Sequence, residues 1–487
     1  MKRIYRIMLG SLICLALVMA GSVCMIEGFA QQQVTSEINI EGIREGKLKV
    51  PGAELRIVFN ISKNPDGILT ATLDSPDQGA TGIPVEEVVF KDNTLRLEVK
   101  SVGAVFEGKV SEDFLVIEGE LKQSGGAFPL TVKRVDKAVE ILRPQEPKKP
   151  YPYIERQVEY TNLKAGVKLV GTLTLPSDKG VFPAVLLITG SGPQDRDETI
   201  YSHRPFLVIA DYLTRRGIAV LRVDDRGVGE STGDFSQATS EDFASDVLAG
   251  VEYLKTFKGI DPKKIGLIGH SEGGIIAPMV AVQSPDVAFI VMMAGTGLSG
   301  EEILYLQGAL ISRAMGISEE DITKNRQFNE KIFLVIKEEK DKKNAEERIR
   351  QMFMEDWEKM SDEEKEKIGD PEVYLNAQLQ SLLSPWLKFF LTYDPKPTLS
   401  KVKCSVLAIN GEKDLQVPPK ENLSAIEEAL KAGGNQNYTI KELPNLNHLF
   451  QTAQTGLPSE YVKIEETISP VALKIISDWI LEQTETK

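Results

Sequence analysis

Lys264-Ile265-Gly266-Leu267-Ile268-Gly269-His270-Ser271-Glu272-Gly273-Gly274-Ile275-Ile276-Ala277-Pro278-Met279-Val280 decides the fold. The apolar run 265–268 reads as a short buried strand, and 275–282 has the composition of a buried helix. Between them lies Gly-x-Ser-x-Gly. By letters alone that pattern is weak, but strand, glycine-flanked serine and helix in succession make a nucleophile elbow, where small neighbours permit a strained backbone that exposes the Ser271 hydroxyl.

Outward from this elbow, apolar strands over 182–188, 219–223, 265–268, 288–293 and 406–409 alternate with amphipathic helices, including 203–216 and 241–257. Thr239 with Asp242 three residues later signals a helix start. The alternation predicts an α/β domain over 156–487 with a mostly parallel sheet and helices on both faces. The stretch from Gly295 to Cys404 is too long for an ordinary crossover. It is expected to hold a helical cap at about 298–397. The Glu- and Lys-rich run 337–367 reads as a solvated helix face, and Trp386, Phe389 and Phe390 read first as packing of the cap onto the sheet, with an acyl pocket as the alternative.

Upstream, short alternating runs between turn signals such as Asn64-Pro65-Asp66-Gly67 and Lys91-Asp92-Asn93 predict an antiparallel β-domain over 31–137, a meander or small barrel, with no chemistry assigned to it. Pro144, Pro147, Pro150 and Pro152 mark 138–155 as an extended linker. Lys2, Arg3 and Arg6 followed by an apolar run over 7–26 and by Gly28-Phe29-Ala30 read as a signal peptide over 1–30. The expected location is periplasmic or secreted, with an uncleaved membrane anchor as the alternative. Cleavage after Ala30 removes three bases and one acid, taking the net charge from −14 to −16. So acidic a chain excludes a broad nucleic-acid surface. It leaves Cys404 as the one cysteine of the mature protein, read as a small core residue, so neither an internal disulfide nor a thiolate metal cluster is expected.

A serine hydroxyl needs a base, and the base needs an orienting group. The chain has 3 histidines. His270 adjoins the serine at a sharp turn and should point away from it, and His203 precedes it. His448, after an apparent last strand 438–443, follows it in the order this fold uses. Asp414, just past the end of strand 406–409, is the expected orienting carboxylate; Glu412 is its rival and Asp394 a turn residue. The oxyanion donors are expected to be the backbone amides of Glu272 and Ser191, with Gly192 in reserve. Asp224-Asp225-Arg226-Gly227-Val228-Gly229-Glu230-Ser231 lacks the spacing of a phosphate loop and reads as a buried Asp–Arg structural turn.

Taken together, Asp225-Arg226-Gly227-Val228-Gly229, the elbow at 269–274, Gly411-Glu412-Lys413-Asp414 with Val417-Pro418, and Leu446-Asn447-His448 resemble the α/β-hydrolase superfamily and within it the bacterial EstD-type carboxylesterases. The resemblance implies hydrolysis of short-chain carboxylic esters by a Ser271–His448–Asp414 triad without cofactor or metal. The expected partner is a small-molecule ester. A serine aminopeptidase or acyl-peptidase on the same fold is the alternative.

Overall fold

The computed structural model describes residues 40–485 apart from 51–52, 65, 79, 124–125, 138–141, 363–364, 366–367 and 369. The expected signal peptide and the first residues of the expected linker lie outside the described residues. Among the described residues, no helix is long and apolar enough to cross a membrane. The described residues divide into two compact units, one holding 143–353 and the residues from 378 on, the other holding 40–142 together with 354–377.

In the N-terminal unit, β1 (Gly42–Val50), β2 (Ala53–Lys63), β3 (Leu69–Ser75), β4 (Ala80–Val85), β5 (Glu87–Lys91), β6 (Thr94–Val99), β7 (Ala104–Val110), β8 (Val116–Gln123) and β9 (Gly126–Val135) form one antiparallel sheet. Its order is β4-β3-β2-β1-β9-β8-β7-β6-β5, two meanders joined where β9 returns to pair with β1. Alternation places one side chain in two inside: β6 buries Leu95, Leu97 and Val99 and turns the residues between them outward. Phe59 and Phe106 pack with tilted rings, 5.1 Å between centres, in a single core. The two turn signals behave as read, with Asn64 Oδ1 accepting the amides of Asp66 and Ile68, and Asp92 and Asn93 both at positive φ in the β5–β6 hairpin.

The other unit is built on an 8-stranded sheet of order β10-β11-β13-β12-β14-β15-β16-β17. Its strands are β10 (Ile154–Asn162), β11 (Val167–Leu175), β12 (Phe182–Ile188), β13 (Ala219–Val223), β14 (Ile260–His270), β15 (Val287–Met293), β16 (Ser405–Gly411) and β17 (Tyr438–Leu443). The β10–β11 hairpin and the β11–β13 pair are antiparallel and the rest parallel. Helices α1 (Pro205–Arg215), α2 (Ser240–Thr256) and α3 (Gly273–Ala281) connect the central strands. The expected capping box of α2 is present, Thr239 with Asp242. Between β15 and β16 lie α4 (Gly300–Ala314), α5 (Glu319–Glu338), α6 (Lys342–Trp357), α7 (Pro371–Leu382), α8 (Pro385–Thr392) and α9 (Lys396–Leu399). After β16 come α10 (Pro419–Ala432), α11 (Pro458–Tyr461) and α12 (Pro470–Thr484). One face of the sheet, through Val185, Leu187, Val220, Ile268, Val291 and Leu407, shares a core with Phe206, Ile209 and Leu213 of α1 and Leu473, Ile476 and Ile480 of α12.

Two expectations are corrected. The domain begins before residue 156, because the hairpin starts at Ile154 and the supposed linker is tied down from Arg143 onward. The Arg143 guanidinium donates to the carbonyls of Tyr201, Ser202, Val462 and Ile464, and Gln145 is bonded to Thr467 and Ile468. Proline content alone could not reveal these remote partners. The inserted helices do not all fall in one unit, since 354–377 groups with the N-terminal residues. The Asp–Arg turn is buried as expected, and its charges are paired outside the turn: Asp224 with Arg196, and Arg226 with Asp246.

Candidate active site

β14 runs straight into the elbow. Ser271 sits at φ 52°, with its amide donating to the Met293 carbonyl at 2.8 Å and its carbonyl accepting from Gly274 at 2.9 Å. The glycines answer to close approach rather than flexibility. A Cβ on Gly269 would lie 1.9 Å from the Gly273 carbonyl oxygen, one on Gly273 2.2 Å from that of Ile188, and one on Gly274 2.6 Å from the Gly295 Cα. Any side chain there would push the serine off its turn.

Ser271 Oγ lies 3.2 Å from His448 Nε2, and His448 Nδ1 lies 2.7 Å from Asp414 Oδ2. Asp414, buried where the chain leaves β16, uses its other oxygen to accept the amides of Gln416 and Val417, both at 2.8 Å. Its carboxylate is thereby fixed before it meets the imidazole. The loop carrying His448 after β17 is braced by Asn447, whose Oδ1 accepts the amides of Leu449 and Gln451 and whose Nδ2 donates to Gln451 Oε1. Glu412, the rival carboxylate, instead accepts the Asn445 amide, and Asp394 caps its own turn at Lys396.

The loop after β12 is held by three acids. Asp225 accepts from Thr189 Oγ1 and the Gln194 amide, both at 2.9 Å. Asp224 accepts the Arg196 amide and guanidinium. Glu198 accepts the Gly190 amide at 2.7 Å. Among the described residues, the amides of Ser191, Gly192 and Glu272 donate to no protein acceptor, which leaves them available to a developing oxyanion. Burial pushes the Asp225 carboxyl well above the usual carboxylate range. Burial also raises that of Glu272, against hydrogen bonds from Ser240 at 2.6 Å and the Trp386 indole at 2.8 Å.

The other two histidines have separate duties. His203, immediately before α1, is buried with Nδ1 3.0 Å from Thr467 Oγ1 and Nε2 3.0 Å from the Tyr461 carbonyl. Burial lowers its pKa to about 4. His270 turns away from Ser271, as the sharp turn requires, toward Glu198 and the His448 carbonyl. Cys404 is half-buried, and burial raises its thiol to about 12, so it is no nucleophile.

The cleft over Ser271 has a volume of about 490 Å³ and is lined by Ser191, Gln194, Glu198, Tyr201, Gln307, Ile311, Gln416 and Leu449, among others. Trp386, Phe389 and Phe390 are not part of that lining; Trp386 stacks on Phe390 and bonds to Glu272. Sequence reasoning did not single out Glu198, Gln307 or Gln416, nor the roles of Asp225 and Trp386. Glu198 belongs to the polar run Asp195-Arg196-Asp197-Glu198, indistinguishable by composition from a solvated loop.

A sequence profile for X-Pro dipeptidyl-peptidase (S15 family) matches residues 138–443, well over half of the chain. Esterase EstD of Thermotoga maritima is 28% identical over 299 residues, covering 61% of this chain and 61% of the relative. An uncharacterized peptidase of Bacillus subtilis, YuxL, is 24% identical over 250 residues, 49% of this chain and 36% of the relative. The chain thus spans less than two thirds of the length of these two curated relatives. Among solved structures, an esterase of Pyrococcus furiosus aligns with TM-score 0.41 at 17% identity, over 71% of this chain and 98% of that one. Est1E of Butyrivibrio proteoclasticus with ferulic acid bound aligns with TM-score 0.39 at 18% identity, over 67% and 98%. With the elbow, the strand order and the profile match in agreement, the chain is an α/β-hydrolase similar to EstD and belongs to the X-Pro dipeptidyl-peptidase (S15) family.

Proposed function

We propose that the protein is a serine hydrolase that cleaves small, uncharged carboxylic esters through an acyl-enzyme on Ser271. The observation that carries this reading is the unbroken relay of Ser271 Oγ, His448 and Asp414 at 3.2 and 2.7 Å. His448 Nε2 takes the hydroxyl proton as Ser271 attacks the acyl carbon, while Asp414 holds the proton on Nδ1 and steadies the imidazolium. The tetrahedral oxygen is received by the amides of Glu272 and Ser191. His448 returns the proton to the leaving alcohol, and water attacks the ester of Ser271 by the same route.

The lining favours esters over substrates with a free amino terminus. An ammonium group calls for an available carboxylate, and the carboxylate of the cleft, Glu198, already accepts the Gly190 amide at 2.7 Å and faces His270 at 2.9 Å. Around it stand the uncharged Gln194, Gln307, Gln416 and Tyr201. Gln307 and Ile311 come from α4, which supports the role of the inserted helices as a cap that sizes the acyl and alcohol sites. Peptide hydrolysis is the second reading, supported by the family to which the profile belongs. The composition of the first 30 residues supports export.

Turnover of p-nitrophenyl esters from acetyl to decanoyl, set beside aminoacyl and X-Pro p-nitroanilides, tests this for the wild type and Ser271→Ala. Ester turnover lost in the variant is the expected result. Anilide turnover without ester turnover refutes it in favour of the peptidase.

A further inference from the structure

His270 has a partner on each ring nitrogen, and neither belongs to the triad side chains. Nδ1 lies 2.9 Å from Glu198 Oε1 and Nε2 lies 3.0 Å from the carbonyl oxygen of His448. That same Glu198 oxygen accepts the Gly190 amide at 2.7 Å. Glu198 and His270 are 3% and 6% exposed, so these bonds form away from competing water. Glu198 is held at φ 51°, a costly conformation for a side-chain-bearing residue, and it is this turn that brings its carboxylate beneath the loop. One pair of side chains therefore touches three pieces of backbone: the elbow, the loop after β12, and the loop bearing His448.

Resting on the serine-hydrolase reading above, we propose that Glu198 and His270 form a second carboxylate–histidine pair that positions the triad base and the oxyanion loop on the nucleophile elbow. Nε2 faces a carbonyl, which accepts only, so it carries a proton. Nδ1 faces a carboxylate. Burial disfavours the imidazolium, but the charge and hydrogen bond of Glu198 outweigh it, and the pKa of His270 lies above the ordinary histidine value. With an acceptor on each ring nitrogen the geometry suits the imidazolium paired with Glu198, and that ring lies 5.0 Å, centre to centre, from the ring of His448. The other ionisable groups that bear on the pair are Asp414, through its charge on His270, and Asp225, which Glu198 influences together with Glu272. Glu198 and His270 touch no reacting atom, so both are positioning residues.

Committing Gly190 to Glu198 also settles which donors are open. Gly190 cannot serve the oxyanion while its amide is used, and the next amides, Ser191 and Gly192, take that place. Without Glu198 the loop loses this anchor at Gly190 and keeps the Asp225 clamp on Thr189 and Gln194 and the Asp224 clamp on Arg196.

The test is the rate at which Ser271 is phosphorylated by diethyl p-nitrophenyl phosphate, followed by p-nitrophenolate release and by mass on the Ser271 peptide, beside steady-state turnover of p-nitrophenyl acetate. This probe reports activation of the serine and its oxyanion site whatever the natural substrate. For Glu198→Ala, kcat and the phosphorylation rate are expected to fall about 100-fold, as for a misplacement on the order of 1 Å, with KM within about threefold. Glu198→Gln guards against misfolding, because it keeps the shape of the side chain and an oxygen for the Gly190 amide while removing the carboxylate charge that favours a cationic His270. It is expected to recover most of the rate, but to move the acidic limb of the kcat/KM profile upward by about half a pH unit or more as the nearby cation disappears. A merely structural pair would not move that limb. Reactive wild type with Glu198→Ala within threefold in both rates, or an unshifted limb in Glu198→Gln, overturns the positioning role alone. Unreactive wild-type Ser271 overturns the hydrolase reading and the proposal with it.

Discussion

Asp414→Asn isolates the orienting carboxylate with little disturbance of shape. In the wild type, Oδ1 accepts two backbone amides at 2.8 Å and Oδ2 takes the Nδ1 proton of His448 at 2.7 Å. Asparagine has one acceptor oxygen, and two fixed amides claim it. The amide nitrogen must then face Nδ1, which becomes an acceptor, and the imidazole proton moves to Nε2, opposite Ser271 Oγ. The base has lost the lone pair it needs. Turning the amide over restores the tautomer but sets an NH₂ against two buried N–H groups, each worth roughly 1–3 kcal/mol if left unsatisfied. The wrong tautomer is the cheaper outcome, and the expected loss in kcat for p-nitrophenyl acetate is about 10⁴, or about 5.4 kcal/mol in the barrier. The loop keeps its amide bonds, so the urea midpoint should hardly move. Steady-state kinetics beside a denaturation curve decide the matter. A folded variant within tenfold of wild type, or an equal loss in Glu412→Gln, would refute the assignment of Asp414.

Trp386→Phe keeps the stack on Phe390 but removes the 2.8 Å bond to the buried Glu272 carboxyl; an expected loss of about 1–3 kcal/mol is read from the urea midpoint. Gly273→Ala places a methyl 2.2 Å from the Ile188 carbonyl oxygen, so esterase activity should vanish and the melting temperature fall, measured by calorimetry. His203, with its folded pKa lowered to about 4 by burial, is neutral in the fold while the unfolded chain takes up a proton near pH 6.5. Its contribution is complete above about pH 6.5 and is lost as the pH falls toward 4, roughly 3 kcal/mol in all. The stability gap between wild type and His203→Gln, from urea curves at several pH values, should narrow over that window and stay constant above pH 7.

What was legible in the sequence is what strand ends and turns dictate locally. A serine between glycines after an apolar strand, an acid just past the end of another, and a histidine after the last are separated by long stretches of chain, yet a parallel sheet collects such strand ends at one edge. Ser271, Asp414 and His448 come together for that reason. The β5–β6 turn at Asp92-Asn93 was readable because residues that tolerate positive φ stood between two alternating runs. The β10–β11 hairpin was missed because its turn, Leu163-Lys164-Ala165-Gly166, sits among charged residues beside a proline-rich stretch that suggested a linker. Arg143 and Glu198 were illegible for a deeper reason. An arginine capping four carbonyls and a glutamate under a loop look, in one dimension, like any solvated charge; only the fold supplies their partners.

The same distinction bears on the choice between ester and peptide. The serine, the base and the oxyanion amides deal with an acyl carbonyl and are nearly indifferent to whether oxygen or nitrogen leaves. Selectivity must come from groups that meet the rest of the substrate, and those line the cleft from outside the elbow: Gln307 on α4, Gln416 beside Asp414, and Tyr201 in the loop before α1. Gln307 meets Gln416 at a long 3.5 Å, while Gln416 donates to the Tyr461 hydroxyl at 3.1 Å, and a carboxamide has donor and acceptor capacity beyond these bonds. A substrate ammonium placed there would meet carboxamides while the nearby Glu198 stays committed to Gly190 and His270. Such a surface rewards neutral polar groups near the scissile bond and penalises an unpaired charge. Gln307→Glu therefore serves as the sharpest converse. A carboxylate introduced on α4 should lower kcat/KM for acetyl esters while raising it for aminoacyl esters over their N-acetylated counterparts, and equal effects on both pairs would show that α4 does not face the bound substrate.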